Sequence, residues 1–188
     1  MILFNVILTV LFIFLNLTAE ILYYRMPQGQ PPWTDKIYSG KINSDGVHFG
    51  GVGCLVDGKA ITGTNPVKSP DCWIGWRKEN VSQPYVKLEL SRKTTITGVQ
   101  LRVYVDKTIK ASTAMKFTVQ TSTHYGHLPD FKGSVCAPES YYQLNEEFFI
   151  DLDLGSIQTQ YIDIVLDYSE ELILLRQVKI KQGKLDSL

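Results

Sequence analysis

The stretch that decides the fold runs from Tyr38 to Trp76 and reads YSGKINSDGVHFGGVGCLVDGKAITGTNPVKSPDCWIGW. It shows no helical periodicity and contains two of the three cysteines and two of the three tryptophans of the chain. Its glycines mark backbone that bends sharply or approaches another segment closely. Its end, Trp73 to Trp76, is apolar and aromatic, which is typical of a segment that closes one end of a β-sandwich or barrel. We call residues 38–76 the crown.

Downstream of the crown, apolar residues recur at every second position. This alternation is the pattern of half-buried antiparallel strands with one face on a core. The segments concerned are Val86 to Leu90, Val99 to Val105, Met115 to Val119, Phe148 to Leu154, Ile162 to Leu166 and Leu172 to Lys181. Arg92-Lys93-Thr94 is predicted to be a polar turn, and residues 122–147 a long surface connection. Many strands without a helical pattern predict a β-sandwich or barrel.

Length, charge and the N-terminal segment set the general class. A chain of 188 residues favours one domain, and a formal net charge of +0 argues against nucleic acid or an anionic membrane surface as the partner. Residues 1–19 are apolar and are predicted to be a secretory signal peptide cleaved near Ala19. An uncleaved N-terminal anchor is the alternative. The mature domain is expected to span residues 23–183 and to be secreted.

A secretory context changes how the three cysteines are interpreted, because disulfides persist outside the cytosol. Cys54 and Cys72 lie in the same glycine-rich crown, and we predict that they pair. Pairings of either residue with Cys136 stay open at this point. Asn80-Val81-Ser82 is an N-glycosylation sequon beside charged residues, so Asn80 is a predicted glycan site.

No catalytic motif stands out in the sequence. His124 and His127 are spaced so that they could share a metal ion, but no further ligand pattern supports this and solvated loop histidines are favoured. Asp151 and Asp153 fall on one face of a predicted strand, where a solvated role is favoured over acid–base catalysis. The chain has no nucleophile elbow, no phosphate-binding loop and no dinucleotide fingerprint. We therefore predict a binding or structural module that is not an enzyme.

The crown resembles the membrane-proximal discoidin-like module of the discoidin domain receptors, which are collagen-activated receptor tyrosine kinases. The family module shows YDG, GGLGQLxDG and YVGW motifs, and Tyr38-Ser39-Gly40, Gly50 to Gly58 and Trp73 to Trp76 stand at comparable spacings. The resemblance covers about residues 23–181. It implies an antiparallel β-sandwich jelly roll of the galactose-binding-like kind, as in discoidin and F5/8 type C domains. The family's collagen-recognising first domain and its kinase do not lie within this sequence, so the resemblance carries over neither collagen binding nor kinase activity.

The family module binds a structural calcium, and the resemblance implies a remnant of that site. Asp57 stands at the position of a carboxylate ligand, and Lys59 at the position of a carbonyl ligand. The other ligand positions carry changed residues, namely Thr34, Cys54, Asp71, Trp73 and Arg176-Gln177. Calcium prefers several hard oxygen ligands and negative charge. We therefore expect calcium binding to be weak or absent, and no other cofactor.

The cysteines of the family module also differ from those of this chain. The family's disulfide joins positions that correspond here to Val105 and Ile164, so both of its cysteines are missing. Cys54 and Cys72 instead fall at the former calcium site. The resemblance thus leads to the hypothesis that a Cys54–Cys72 disulfide replaces the metal as the cross-link between the crown loops.

The expected function is non-catalytic recognition or structural spacing outside the cell, as a receptor fragment or a short secreted form. Collagen is the extracellular protein partner to test, and a membrane would be involved only through a receptor context. The alternative is a secreted carbohydrate-binding module, in which exposed aromatic residues such as Trp33, Trp73 or Tyr141-Tyr142 stack on a glycan.

Overall fold

The computed structural model describes residues 20–56, 65–112, 114–136 and 146–183. These residues form strands and one short 3-10 turn, Pro70–Cys72, with no α-helix among them. The strands are β1 (Ile21–Pro27), β2 (Lys41–Ile42), β3 (Val47–Gly51), β4 (Ile74–Arg77), β5 (Tyr85–Tyr104), β6 (Ala111–Ser112), β7 (Ala114–Ser122), β8 (Phe131–Cys136), β9 (Glu147–Tyr168) and β10 (Leu172–Gln182). The predicted all-β class is therefore confirmed.

Two long strands, β5 and β9, connect the two halves of the sandwich. The first half of β5 pairs with β1 and with the second half of β9, in the strand order β2-β3-β1-β5-β9-β7-β8. The second half of β5 pairs with the first half of β9 and with β10, which also carries β4 and β6. All these pairs are antiparallel except β6 with β10. The β5–β9 register shifts midway, between Glu89 and Thr94, where the pair passes from one half to the other.

The predicted alternation is confirmed in the side-chain burial. In the first half of β5, Val86, Leu88 and Leu90 are buried, whereas Lys87 is exposed. These residues share one core cluster with apolar residues from the second half of β5, from β9 and from β10. A smaller cluster, built on Trp33, Trp73 and Tyr104, closes the crown end. Burial of apolar surface from both halves is what holds the sandwich closed.

Two local predictions are wrong. Arg92-Lys93-Thr94 is not a turn between two strands but lies inside β5, where pairing with β9 is interrupted before Thr94 and the side chains of Arg92 and Lys93 are exposed. Residues 122–147 are not only a surface connection, because they contain β8 (Phe131–Cys136) at the sheet edge beside β7. The apolar–polar alternation of β8 is weak because Gly133 takes one of the inward positions. The strand is therefore hard to recognise in the sequence.

Candidate functional site

The crown is closed by a covalent bond between two of its loops. Cys54 and Cys72 form a disulfide across a sequence separation of 18, with their Cα atoms 5.3 Å apart. The pairing predicted for these two residues is confirmed, and Cys136 is an exposed free thiol at the end of β8. The bond ties the turn after β3 to the segment that leads into β4.

A buried carboxylate, Asp35, holds the same region together by hydrogen bonds. Its Oδ1 accepts the backbone N–H of Cys54 at 3.2 Å, and its Oδ2 accepts the hydroxyl of Tyr24. Its own N–H donates to the carbonyl of Trp73 at 3.0 Å. A Cβ on Gly53 would collide with both Asp35 Oδ2 and the Tyr24 hydroxyl, so only glycine fits there. Asp35 thus connects β1 and both loops that the disulfide joins.

Asp35 could not be recognised from the sequence. It lies in an irregular lead-in without periodicity, next to Thr34, which stands at a ligand position of the family module. The only local signal is a lone acidic residue among aromatic ones, and that signal does not reveal burial. In the structure Asp35 is 2% exposed and adopts a positive φ of 51°, a backbone conformation that aspartate tolerates better than most residues.

A buried cation, the Arg176 guanidinium, packs against Trp73 of the crown. The guanidinium of Arg176, in β10, is 5.5 Å from the centroid of the Trp73 ring. Its Nη1 donates to Oε1 of Glu147 at 3.0 Å, and Arg102 donates to Oε2 of the same carboxylate at 2.5 Å. The Arg176 side chain is 4% exposed and that of Glu147 is 10% exposed. The positive charge is therefore held by a carboxylate and an aromatic face.

The described residues at the family's calcium positions do not fit a calcium ion. Cys54 is engaged in the disulfide, Trp73 presents an indole ring, and Arg176 brings a positive charge. Asp71 pairs with the ammonium group of Lys36 at 2.5 Å on the surface. A calcium ion needs six to eight oxygen ligands, and this set does not supply them.

Two of the predicted metal positions cannot be compared with the structure. Asp57 and Lys59 lie outside the described residues, so the remnant calcium site stays a prediction at these positions. Thr34, at another family ligand position, is half-buried and forms an isolated β-bridge with Ile74. Within the described ranges, no group of three or more His, Cys, Asp or Glu residues is arranged to hold a metal ion.

Two of the aromatic residues suggested for glycan stacking, Trp33 and Trp73, are buried. Trp33 is 5% exposed and donates its indole N–H to the carbonyl of Pro66 at 3.0 Å, and Trp73 is 1% exposed. The prediction that they are exposed is wrong, because both rings pack in the small cluster under the crown. Tyr141-Tyr142 lies outside the described residues.

The remaining candidates are surface groups. His124 and His127 lie in the exposed hairpin between β7 and β8, with ring centroids 5.2 Å apart. Asp151 is exposed and paired with Lys181, which is the main reason that its pKa lies below the usual range. Asn80 is exposed in the turn between β4 and β5, where its glycosylation stays a prediction.

These features define a galactose-binding-like β-sandwich with a cross-linked crown. Residues 20–182 match the family model described as discoidin domain-containing receptor 1/2, DS-like domain, and the chain belongs to that family. Discoidin-like domains are non-catalytic recognition modules of receptor ectodomains, which implies an extracellular location. No helix in the described part of the chain is long and apolar enough to cross a bilayer. Comparison with curated proteins gives no significant match.

Solved structures support the fold. A Streptococcus pneumoniae fucose binding module, SpX-3, is similar with a TM-score of 0.53 and 13% identity, over 90% of this chain and 98% of that one. A histidine mutant of the lectin binding domain of Lectinolysin, complexed with Lewis b, has a TM-score of 0.54 and 8% identity, over 85% of this chain and 91% of that one. At these identities the likeness extends to the fold alone.

Proposed function

We propose that this chain is a receptor-ectodomain module, or a short secreted form of one, that recognises an extracellular protein through its crown without calcium. The observation that carries the proposal is the family match over residues 20–182. The crown is also fixed by a disulfide and a buried carboxylate, as a recognition surface should be if little entropy is to be lost on binding.

The crown region carries exposed apolar side chains that suit a protein partner. Ile37, Ile42 and Phe49 are 52%, 47% and 42% exposed, and they lie beside or within β2 and β3 at one edge of the sheet. Since isolated exposed apolar residues are common on protein surfaces, exposure alone does not show that these side chains bind a partner. Their role is tested by changing Ile42 and Phe49.

The test is saturable binding of the purified domain to immobilised triple-helical collagen, with denatured collagen and a glycan surface as controls. Binding to native collagen alone, lost in the Ile42→Ser/Phe49→Ser variant, supports the proposal. Leu128→Ser is the matched control, because Leu128 is 89% exposed but lies in the β7–β8 hairpin at the opposite edge of the sheet. Binding to neither form of collagen removes collagen as the partner, and a signal on the glycan surface alone favours the carbohydrate-binding alternative.

A further inference from the structure

We propose that a cleft on the outer face of the sheet binds a short saccharide that carries a carboxylate. The cleft has a volume of about 350 Å³ and is bordered by β1, β5, β9, β7 and the β7–β8 hairpin. This volume is at the lower end of the range for small-molecule sites.

The polar floor of the cleft consists of two rows of side chains that the strand register brings side by side. In the first row Arg25 lies opposite Lys87, Lys87 opposite Asp163, and Asp163 opposite Gln120. Neighbouring strands are about 4.8 Å apart, so this row of four residues extends over roughly 14 Å. A row of that length offers donors and acceptors at the spacing of hydroxyl groups along a sugar chain.

The second row adds aromatic residues to the floor. Tyr23 lies opposite Glu89, Glu89 opposite Tyr161, and Tyr161 opposite Ser122. The pKa of Tyr23 is raised to about 12, mainly by its hydrogen bond to the Glu89 carboxylate and then by burial. Tyr23 therefore stays neutral, and the Glu89 charge is held by a partner within the protein.

One cation of the floor has no internal partner. Lys87 is neutralised by Asp163, with Nζ and Oδ2 2.8 Å apart. The Arg25 side chain is exposed, and its guanidinium forms no hydrogen bond or ion pair with any of the residues that the structure describes. A guanidinium can bind a carboxylate through two parallel hydrogen bonds, which a point charge such as an ammonium cannot do. Arg25 is thus the group that would recognise an acidic ligand.

The hairpin between β7 and β8 forms an aromatic wall over the second row. Tyr125 is 71% exposed, and its ring meets that of Tyr161 edge to face, with centroids 5.7 Å apart. The hairpin is held in shape because Asp130 accepts the N–H of Thr123 at 2.8 Å and donates its own N–H to Thr121 at 2.7 Å. The wall is therefore present before any ligand binds.

These parts together select the ligand class. A pyranose ring has apolar faces, which pack on aromatic rings, and polar edges, which take hydrogen bonds from side chains. Tyr125 and Tyr161 supply the aromatic surface, and Gln120 is a neutral polar group beside them in the lining. With Arg25 as the free cation, a uronic acid in a short oligosaccharide satisfies each feature of the cleft.

The test is calorimetric titration of the folded domain with tri-galacturonate and with a hyaluronan tetrasaccharide, to about 10 mM so that a Kd of about 1 mM is still measured. The methyl ester of tri-galacturonate is the neutral control. We expect binding of at least one acidic probe and much weaker binding of the ester. Binding of neither acidic probe, or equal binding of acid and ester, overturns the proposal.

Two variants test whether the acidic probe binds in the cleft. Arg25→Gln should weaken binding about tenfold or more, and Tyr125→Ala about threefold to tenfold. The matched controls are Arg92→Gln and Leu128→Ala, because these residues are also exposed but do not line the cleft. Binding that survives both cleft substitutions overturns the proposal. The Ile42→Ser variant should bind the acidic probe normally, because Ile42 lies in β2 and does not line the cleft. The crown and the cleft are thus tested separately.

Discussion

The guanidinium of Arg176 lies 5.5 Å from the centre of the Trp73 ring, and Trp73 directly follows Cys72, which forms the disulfide with Cys54. Both residues stand at positions where the related receptor module is expected to have calcium ligands. We propose that the disulfide and the Arg176 guanidinium stand in place of a metal ion in this region. The stability of the crown should depend on these two features.

The first prediction concerns the disulfide. The Cys54→Ser/Cys72→Ser variant should lose about 3 kcal/mol of unfolding free energy, because the bond closes a loop with a sequence separation of 18. For a chain of this size that loss lowers Tm by about 6–12 °C in thermal unfolding followed by circular dichroism. Cys136→Ser is the control and should leave Tm unchanged, since that thiol is exposed and free. An unchanged Tm in the double variant would contradict the assigned role of the bond.

The second prediction concerns the carboxylate that holds Arg176. Glu147→Gln should cost about 3 kcal/mol in urea unfolding, because two arginines lose the carboxylate between them in a nearly buried site. The control is Asp151→Asn, which removes a surface pair with Lys181 whose side chains are 44% and 48% exposed. That pair should contribute less than about 1 kcal/mol. Equal losses of unfolding free energy in the two variants would show that the buried Glu147 network contributes no more than an exposed ion pair.

The third prediction concerns pH. His48 is 1% exposed, its ring stacks on Tyr38 at 4.3 Å, and neither ring nitrogen has a hydrogen-bond partner among the described residues. Burial lowers the pKa of His48 below the ordinary value of 6.5. The unfolded chain therefore binds the proton first as the pH falls. Stability from this group is complete above pH 6.5 and is lost below it, toward the pKa of the folded state.

This prediction is checked by urea unfolding between neutral and mildly acidic pH. The difference in slope between the parent and His48→Phe isolates the histidine, and one proton contributes at most about 1.4 kcal/mol per pH unit. The phenylalanine variant should show a shallower loss of stability on acidification. Identical slopes in the two proteins would mean that His48 does not titrate on unfolding.

Much of the fold could be predicted because its signal is local. Strict alternation at Val86, Leu88 and Leu90 identified the core face of β5, and all three side chains are buried. The turn predicted at residues 92–94 was wrong because a strand that passes from one half of a sandwich to the other has polar residues at the passage, just as a turn does. Sequence periodicity alone does not separate the two cases.

The candidate site was harder to predict because its parts come together only through tertiary contacts. The Cys54–Cys72 pair could be proposed from the sequence, since both residues stand in one irregular segment. Asp35 gave no sign of burial, and Arg176 looked unfavourable for calcium without indicating that Glu147 would hold it. The cleft residues Arg25 and Tyr125 belong to different elements, and only the strand register and the hairpin bring them to one face.

If a disulfide closes the crown in place of a metal ion, calcium should not stabilise the protein, and thermal unfolding of the oxidised protein in calcium and in chelator measures this. We expect the same Tm in both solutions and a lower Tm after reduction of the Cys54–Cys72 bond. A ligand present at about a hundred times its Kd stabilises the folded state by about 2.7 kcal/mol. A Tm that rises by several degrees in calcium would therefore contradict the account.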